Sequence, residues 1–588
     1  MQLCGAIKQS LDESRATLYE LINVSQPINK LPPETLCEIL SLVPDDVSSG
    51  PRDVHPVSKW RPTFIQDVKQ YRPLLLTCRY WNKLIMGTSA FWSTLEDVCV
   101  DRSQTTTSLF EKYIARCPNG PLCIFVRSGP TFQMRNMCRS PDFTSRIEQI
   151  VYNCEPPTTW GSCYSDFLSS SYSNLDTCVI RHDRIPHSED YVPSPKHCRI
   201  LPDSIRLRRL WIDHTNTLPA TAFPALEELR VRNLYLYTGS EAPLCTFISN
   251  SPLLQVIELH AQFREYTPTE LPDWQGQRVP LNALRDLTFT VAYPGRTQGA
   301  PAPGPFFRIF TTCFAIPPNC AIDCGRVWRP DQDSFLRLLN AASAVHSAHI
   351  TSERNERAPT FSAVTADGVR LRFGVLAPGF QETVAADDPD GQRTASFGTI
   401  SRDMDSRRTR LCTLLSSSPM LSQMRRLHVG SYAGWALLQP ASVLSALCLL
   451  EHLVVADHKS FPPAFNASLL QYLITMKDEE PVMCPVLKSV VVDCQTPTDL
   501  PGPWWTAKFD KRDLLVCQSN IEDLAAARTS IGHPIERIRL FFTAEDPAAI
   551  AEGDRVTCMH EYDAAGSLVR TLRGTAAREV SEQDWYGL

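Results

Sequence analysis

The sequence predicts an α/β protein in which an N-terminal all-α segment is followed by a solenoid with a parallel β-sheet. Short amphipathic helices are predicted between residues 3 and 95, and from residue 95 onward the pattern apolar-x-x-apolar-x-apolar recurs. Helix-like segments precede several copies of this pattern, for example Leu411 to Ser417 and Ile521 to Arg528. A strand that follows a helix in the same order each time favours parallel strands stacked as structural repeats.

Length, charge and cysteine usage restrict the class of protein. The 588 residues suggest roughly four domains, or fewer if one is an elongated array. Lys and Arg number 58 and Asp and Glu 64, a net charge of −6 without the basic excess that is typical of nucleic-acid or anionic-membrane binding. No run approaches the roughly 18 apolar residues that a membrane span needs. The 21 cysteines, without a secretion signal, indicate reduced thiols in a cytoplasmic and/or nuclear protein.

The first predicted element is an amphipathic helix over residues 3–24. Five apolar side chains fall on one face of this helix, and charged residues lie between them: Ile7, Leu11, Leu18, Leu21 and Ile22. The stripe favours a helix that packs on its own domain. The alternative is a dimerising coiled coil, for which three heptads are barely enough.

A second, short helix is predicted between Leu31 and Pro44. Proline is tolerated in the first turn of a helix, and Glu34 suits the positive end of the helix dipole. Four side chains then form an i, i+3, i+4, i+7 stripe: Leu36, Ile39, Leu40 and Val43. Pro44 ends the helix, and residues 44–66, rich in Pro, Asp and Ser, are interpreted as a loop.

A third helical stretch is predicted from Tyr71 to Met86. Leu74, Cys78, Trp81 and Ile85 share one face, and Leu75 and Leu84 flank it. Phe91-Trp92 then leads into a strand predicted over residues 95–100.

The repeated pattern predicts the strands of the remaining chain. It begins at Ile147, Leu175, Leu207, Leu226, Leu254, Leu284, Met424, Leu450, Leu487 and Ile535, with a weaker copy at Val345. Stacking of the copies would place like positions in register and bury Leu229, Ile257 and Leu453. The alternating positions would face a concave surface: Arg230, Glu258, Thr288, Val454 and Val491. Because this row becomes less polar toward its end, we expect an apolar partner surface there.

Two segments interrupt the repeats. Residues 294–305 are a Pro/Gly loop, and residues 381–410 are polar and charged, which predicts disorder. Between them, Phe361 to Leu376 has the pattern of a hairpin that turns at Asp367-Gly368.

The sequence contains no recognisable catalytic or phosphate-binding motif. Phosphate loops, dinucleotide fingerprints, nucleophile elbows and His-Glu-x-x-His are all missing. Cys313, Cys320 and Cys324 cluster, but a zinc site normally needs a second ligand pair, so buried thiols are the favoured interpretation. We therefore expect no enzyme activity, no cofactor and no metal site.

The stretch from Ile28 to Val43, together with Leu74 to Trp92, resembles an F-box. The order Leu31-Pro32-Pro33-Glu34, then Ile39-Leu40, is similar to that family's opening. Leu75-x-x-Cys78-Arg79-x-Trp81 resembles its Cys-Arg-x-Trp core, and Phe91-Trp92 resembles its closing Leu-Trp. The arrangement is similar to fungal F-box-like proteins with trailing leucine-rich repeats, although the loop 44–66 is longer than in a compact F-box.

The resemblance implies a substrate-recognition subunit that links a protein substrate of unknown identity to a cullin–RING ubiquitin ligase. A Skp-family adaptor would bind at Leu31, Pro32, Pro33, Glu34, Leu36, Ile39, Leu40, Leu75, Cys78, Trp81, Leu84 and Trp92. The alternatives are an F-box scaffold that acts outside ubiquitination and an enzyme with an unrecognised site.

The predicted organisation has five parts. They are an amphipathic helix over 1–27, an F-box-like domain over 28–95, a leucine-rich-repeat-like solenoid over 96–360, a hairpin with a disordered insertion over 361–410, and a C-terminal solenoid part over 411–588.

Overall fold

A computed structural model gives the fold of most of the chain. It describes residues 2–42, 71–97, 114–126, 132–154, 167–182, 200–213, 219, 221–236, 241–263, 271, 277–292, 305–327, 345–351, 360–365, 370–375, 422–429, 447–456, 473, 482–494, 511–545, 555–573 and 577. The chain is a mixed α/β protein with helices at its N-terminus and a large, mostly parallel β-sheet. It divides into two compact units, Met1–Leu234 and Tyr235–Leu588.

The first unit begins with four helices. They are α1 (Gln2–Ser25), α2 (Pro33–Ser41), α3 (Tyr71–Thr77) and α4 (Arg79–Gly87). Short 3₁₀ turns at Pro27–Lys30 and Ser89–Trp92 precede α2 and follow α4. Two further short helices, α5 (Phe132–Met137) and α6 (Pro141–Thr144), lie between strands.

Six strands of the first unit pair in parallel, each with the next strand along the chain. They are β1 (Thr94–Asp97), β2 (Leu122–Val126), β3 (Ile147–Cys154), β4 (Thr177–His182), β5 (Arg209–Asp213) and β6 (Glu228–Leu236). One ladder of directly paired, buried side chains crosses all six: Leu95, Ile124, Ile150, Cys178, Leu210 and Leu229. The predicted register is thereby confirmed for β3 to β6. The sequence pattern did not identify β2.

A repeated turn precedes many of the strands. In it, the N–H of the first apolar residue of the pattern donates to the carbonyl three residues earlier. The bond recurs at Leu175, Leu207, Leu226, Leu254, Leu284, Leu450 and Leu487. Because the same turn precedes each of these strands, they begin at the same level of the sheet.

The remaining strands of the described residues lie in the second unit. They are β7 (Val256–Phe263), β8 (Val279–Pro280), β9 (Asp286–Ala292), β10 (Phe314–Ala315), β11 (Ala321–Val327), β12 (Val345–Thr351), β13 (Thr360–Thr365), β14 (Arg370–Val375), β15 (Arg426–Val429), β16 (His452–Ala456), β17 (Ser489–Cys494), β18 (Arg537–Glu545), β19 (Arg555–Tyr562) and β20 (Leu568–Arg573). The helices among its described residues are α7 (Glu241–Ser249), α8 (Pro305–Thr312) and α9 (Lys511–Ser530).

Parallel pairing continues in two runs of the second unit. β7, β9 and β11 pair in order, with Ile257 beside Leu287 and Leu287 beside Ile322. β15 to β18 also pair in order, with Leu453 between Leu427 and Val490. Ile257 and Leu453 are buried, as the pattern predicted.

The prediction of a wholly parallel sheet is wrong at two places. β12, β13 and β14 pair antiparallel, and so do β18, β19 and β20. The short connections between these strands allow a hairpin, whereas a parallel pair needs a longer crossover. The first of these regions contains the predicted hairpin, whose strands are β13 and β14, and its turn at Asp367-Gly368 lies outside the described residues.

The prediction of an apolar partner surface at the end of the concave row is also wrong. Val454 and Val491 are buried in a cluster with Phe541, Met559 and Ala577. The residues of this cluster therefore cover one another within the unit, and the apolar row belongs to its core. In the first unit, Phe125, Val151, Val179 and Trp211 form a similar buried cluster.

Three further sequence predictions concern residues outside the described part. They are the loop 44–66, the Pro/Gly loop 294–305 and the disorder of residues 381–410. Across the described residues, no helix has both the length and the apolar character that a membrane crossing requires.

Candidate functional site

Helix α2 starts where its sequence favours a helix start. Pro32 is the N-cap and Pro33 occupies the first turn together with Glu34. Leu36 and Leu40, four residues apart, are buried on one side. The other side leaves Pro32, Pro33 and Glu34 exposed.

Helices α3 and α4 are separated by a single extended residue, Cys78. Its thiol caps α4 by accepting a hydrogen bond from the Trp81 N–H at 3.4 Å. The side-chain amide of Asn82 donates to the Leu75 carbonyl at 3.0 Å and so pairs a carbonyl in the last turn of α3. The Trp81 indole N–H donates to Asn29 Oδ1 at 2.6 Å, which ties α4 to the turn before α2.

Aromatic residues fix the far end of this helical region. The Trp92 indole donates to the Ile85 carbonyl at 2.8 Å, and the rings of Tyr71 and Phe91 meet edge to face with centroids 5.1 Å apart. The Arg116 guanidinium lies 4.2 Å from the centroid of the Trp92 ring. Burial raises the pKa of Tyr71 to about 12.

The structure divides the twelve predicted adaptor-binding residues into three groups. Leu36, Leu40 and Trp92 are buried, and Leu31, Leu75, Cys78, Trp81 and Leu84 are partly buried. Pro32, Pro33, Glu34 and Ile39 are exposed. Only the exposed group, with the accessible parts of the second, can contact another protein without rearrangement.

Two leucines next to the predicted residues are far more exposed than Ile39. Leu42, at the C-cap of α2, has 82% of its surface exposed, and Leu76 of α3 has 78%, against 37% for Ile39. Sequence analysis did not select either leucine. The signal that could have selected them is their position, because each lies off the apolar face of its own helix.

Helix α1 does not pack as expected. Its apolar side chains are exposed, by 53% at Ile7, 64% at Leu11, 57% at Leu18 and 66% at Leu21. Its opposite side contacts α4 through an ion pair between Glu20 and Arg79, with Oε1 and the guanidinium nitrogen 2.8 Å apart. The prediction that the apolar stripe packs on its own domain is therefore wrong.

A carboxylate, an imidazole and a hydroxyl meet on strands of the second unit. Glu258 Oε1 lies 2.7 Å from His260 Nε2, and His260 Nδ1 contacts the Thr290 hydroxyl. The carboxylate orients the ring, as in a nucleophilic triad. However, β7 and β9 pair along these residues, so the backbone N–H groups of these strands are engaged in the sheet rather than available to an oxyanion. The arrangement fits a polar cross-strand contact better than a catalytic site.

The cysteine cluster is buried. Cys313, Cys320 and Cys324 all lie in the core, and Cys313 Sγ is 3.7 Å from the thiol of Cys245. Burial raises the pKa of Cys320 to about 12, which favours the neutral thiol over the nucleophilic thiolate.

Comparisons with known proteins give no family for the chain. No family model matches it, and no curated protein matches it.

Proposed function

We propose that residues 28–95 form an F-box-like domain that binds a Skp-family adaptor. The proposal rests on the residues that resemble the family's motif and on their placement. The Leu-Pro-Pro-Glu segment opens α2, the Cys-Arg-x-Trp segment caps and begins α4, and Trp92 closes the region. The three segments thus lie at the start of α2, at the N-cap of α4 and at the buried end of the helical region.

The observation that carries the proposal is the exposure of Leu42 and Leu76. Single exposed leucines are common on protein surfaces. Here, however, Leu42 caps α2 and Leu76 lies on α3, two short helices that each bury apolar residues on another face. Burying one such leucine in a partner is worth roughly 1.5–3 kcal/mol, so an adaptor groove that covers both would gain a large share of a specific affinity.

We further propose that the strands form leucine-rich-repeat-like solenoid segments that hold a protein substrate. In-order parallel pairing of β1 to β6 and of β15 to β18 supports this, as does the recurring turn that precedes the strands. The antiparallel strands β12 to β14 and β18 to β20 are departures from the repeat. The chain would then act as a substrate-recognition subunit, and a cullin–RING ligase would supply the chemistry.

Affinity capture with matched variants tests the proposal. The full-length chain is compared with Leu42→Asp combined with Leu76→Asp, and with a control, Leu568→Asp combined with Val569→Asp. The control changes two exposed apolar residues of β20, outside the proposed domain. Circular dichroism first establishes that all three proteins are folded.

We expect the wild type and the control to capture a Skp-family adaptor with its cullin, and the Leu42/Leu76 variant to lose both. Capture of the adaptor without cullin would favour a scaffold that acts outside ubiquitination. If the folded wild type captures no adaptor, the proposal is wrong.

A further inference from the structure

The exposed apolar stripe of α1 has the spacing of a coiled coil. Ile7, Leu11, Leu18 and Leu21 follow one another at intervals of four, seven and three, which are the d, a, a and d positions of a heptad. Ser14 occupies the d position between the two leucines at a. A stripe with this period matches another helix of the same period, because each side chain then fits between four residues of the facing helix.

The stripe points away from the contacts that α1 makes with the rest of its unit. At about 100° per residue, Glu20 lies roughly opposite Leu11 and Leu18 around the helix. Glu20 is the residue that pairs with Arg79 of α4, so the polar side of α1 faces the helical region of its own chain. The intramolecular contact thus uses one side of the helix and leaves the apolar side available.

We propose that the apolar stripe of α1 pairs with the same stripe of a second copy of this chain, with the two helices parallel. Charge decides the direction. Lys8 and Arg15 occupy e positions, which face each other across an antiparallel pair and would bring these cations together. In a parallel pair, e positions face g positions, so Arg15 lies against the Ser10 position of the second copy and like charges stay apart.

The size of the contact suits a dimer. A helix of 24 residues is about 36 Å long. Covering the exposed parts of its apolar side chains in two copies removes on the order of 1,000 Å² from water, which is the lower range for a specific interface. This self-association is independent of adaptor binding, because it uses residues before 28.

Analytical ultracentrifugation of the purified full-length chain, without adaptor, tests the proposal. We expect a concentration-dependent dimer. Leu11→Lys combined with Leu18→Lys places cations at two facing layers and should weaken self-association by at least about 100-fold. The control, Ala6→Lys combined with Gln9→Lys, adds the same charge at two exposed positions outside the apolar stripe and should leave the dimer unchanged.

Cross-linking tests the direction of the helices. A cysteine introduced by Ser25→Cys lies at an a position near the end of α1 and would meet its counterpart only in a parallel pair. A short bismaleimide should therefore join two Ser25→Cys chains but not two Asn23→Cys chains. A wild type that remains monomeric, or a Leu11/Leu18 variant that dimerises like the wild type, would overturn the proposal. A dimer without the Ser25→Cys cross-link would overturn the parallel arrangement.

Discussion

Replacing Arg528 by methionine should loosen the C-terminal part of the second unit. Arg528 lies on α9 with none of its surface exposed. Its guanidinium donates to the carbonyls of Met483 and Cys484, each at 2.9 Å, and to the carbonyl of His533 at 3.1 Å. One side chain thus joins α9 to the turns that precede β17 and β18.

The expected loss is about 3 kcal/mol. A hydrogen bond from a charged donor contributes roughly 1.5–3 kcal/mol, and three are removed. Part of this gain is already offset in the wild type by the cost of burying the cation, and the same burial lowers the pKa of Arg528. Methionine fills a similar space but removes the guanidinium donor from three carbonyls, of which the Cys484 carbonyl keeps its bond from the Leu487 N–H. Cys484 also has a left-handed backbone, with φ of 47°, which Arg528 helps to hold in place.

Native-state hydrogen exchange measures this loss locally, which suits a chain of two units that need not unfold together. Amides of β17 should exchange about 100-fold faster in Arg528→Met, since each 1.4 kcal/mol corresponds to a factor of ten. The control is Arg570→Met on β20, because Arg570 is exposed. Unchanged exchange in β17 of a folded Arg528→Met protein would refute the assigned role of Arg528.

Three further outcomes follow from burial. Leu453→Ala, within a buried ladder, should lower stability by about 2–5 kcal/mol in chemical denaturation, whereas Leu449→Ala, in the exposed turn of the same repeat, should change it by under about 1 kcal/mol. Burial raises the pKa of Tyr71 to about 12, so folding favours the neutral phenol. The stability that this preference adds below pH 10 should therefore be lost as the pH rises through 12. Unfolding followed by circular dichroism should show a smaller loss of stability over this pH range in Tyr71→Phe. With a maleimide reagent and mass spectrometry, exposed Cys448 should react well before buried Cys178, and equal rates would contradict the assigned burial.

The sequence was most informative where burial follows a short period. Leu229, Ile257 and Leu453 could be placed in the core because alternating apolar residues mark the buried side of a strand. The direction of neighbouring strands could not be obtained in the same way. An antiparallel strand such as β19 has the same alternation as a parallel one, and only the partner's hydrogen bonds distinguish them.

The candidate site shows a similar division. The predicted stripe of α2 is buried at Leu36 and Leu40 but exposed at Ile39. The apolar stripe of α1 did not reveal whether its partner belongs to the same chain. The sequence pattern identifies Arg528 only as the last residue of a helix-like segment. Its contribution to stability depends on carbonyls about 45 positions away in the sequence, and a local sequence pattern cannot identify such distant partners.

The affinity of the purified chain for a purified Skp-family adaptor tests the central claim most directly. Isothermal titration calorimetry should show saturable binding by the wild type. Leu42→Asp combined with Leu76→Asp should weaken that binding by at least about 30-fold, a loss of about 2 kcal/mol. The Leu568→Asp and Val569→Asp control should bind like the wild type. Equal affinity of all three folded proteins, or no binding by the wild type, would contradict the assignment of residues 28–95 as the adaptor-binding domain.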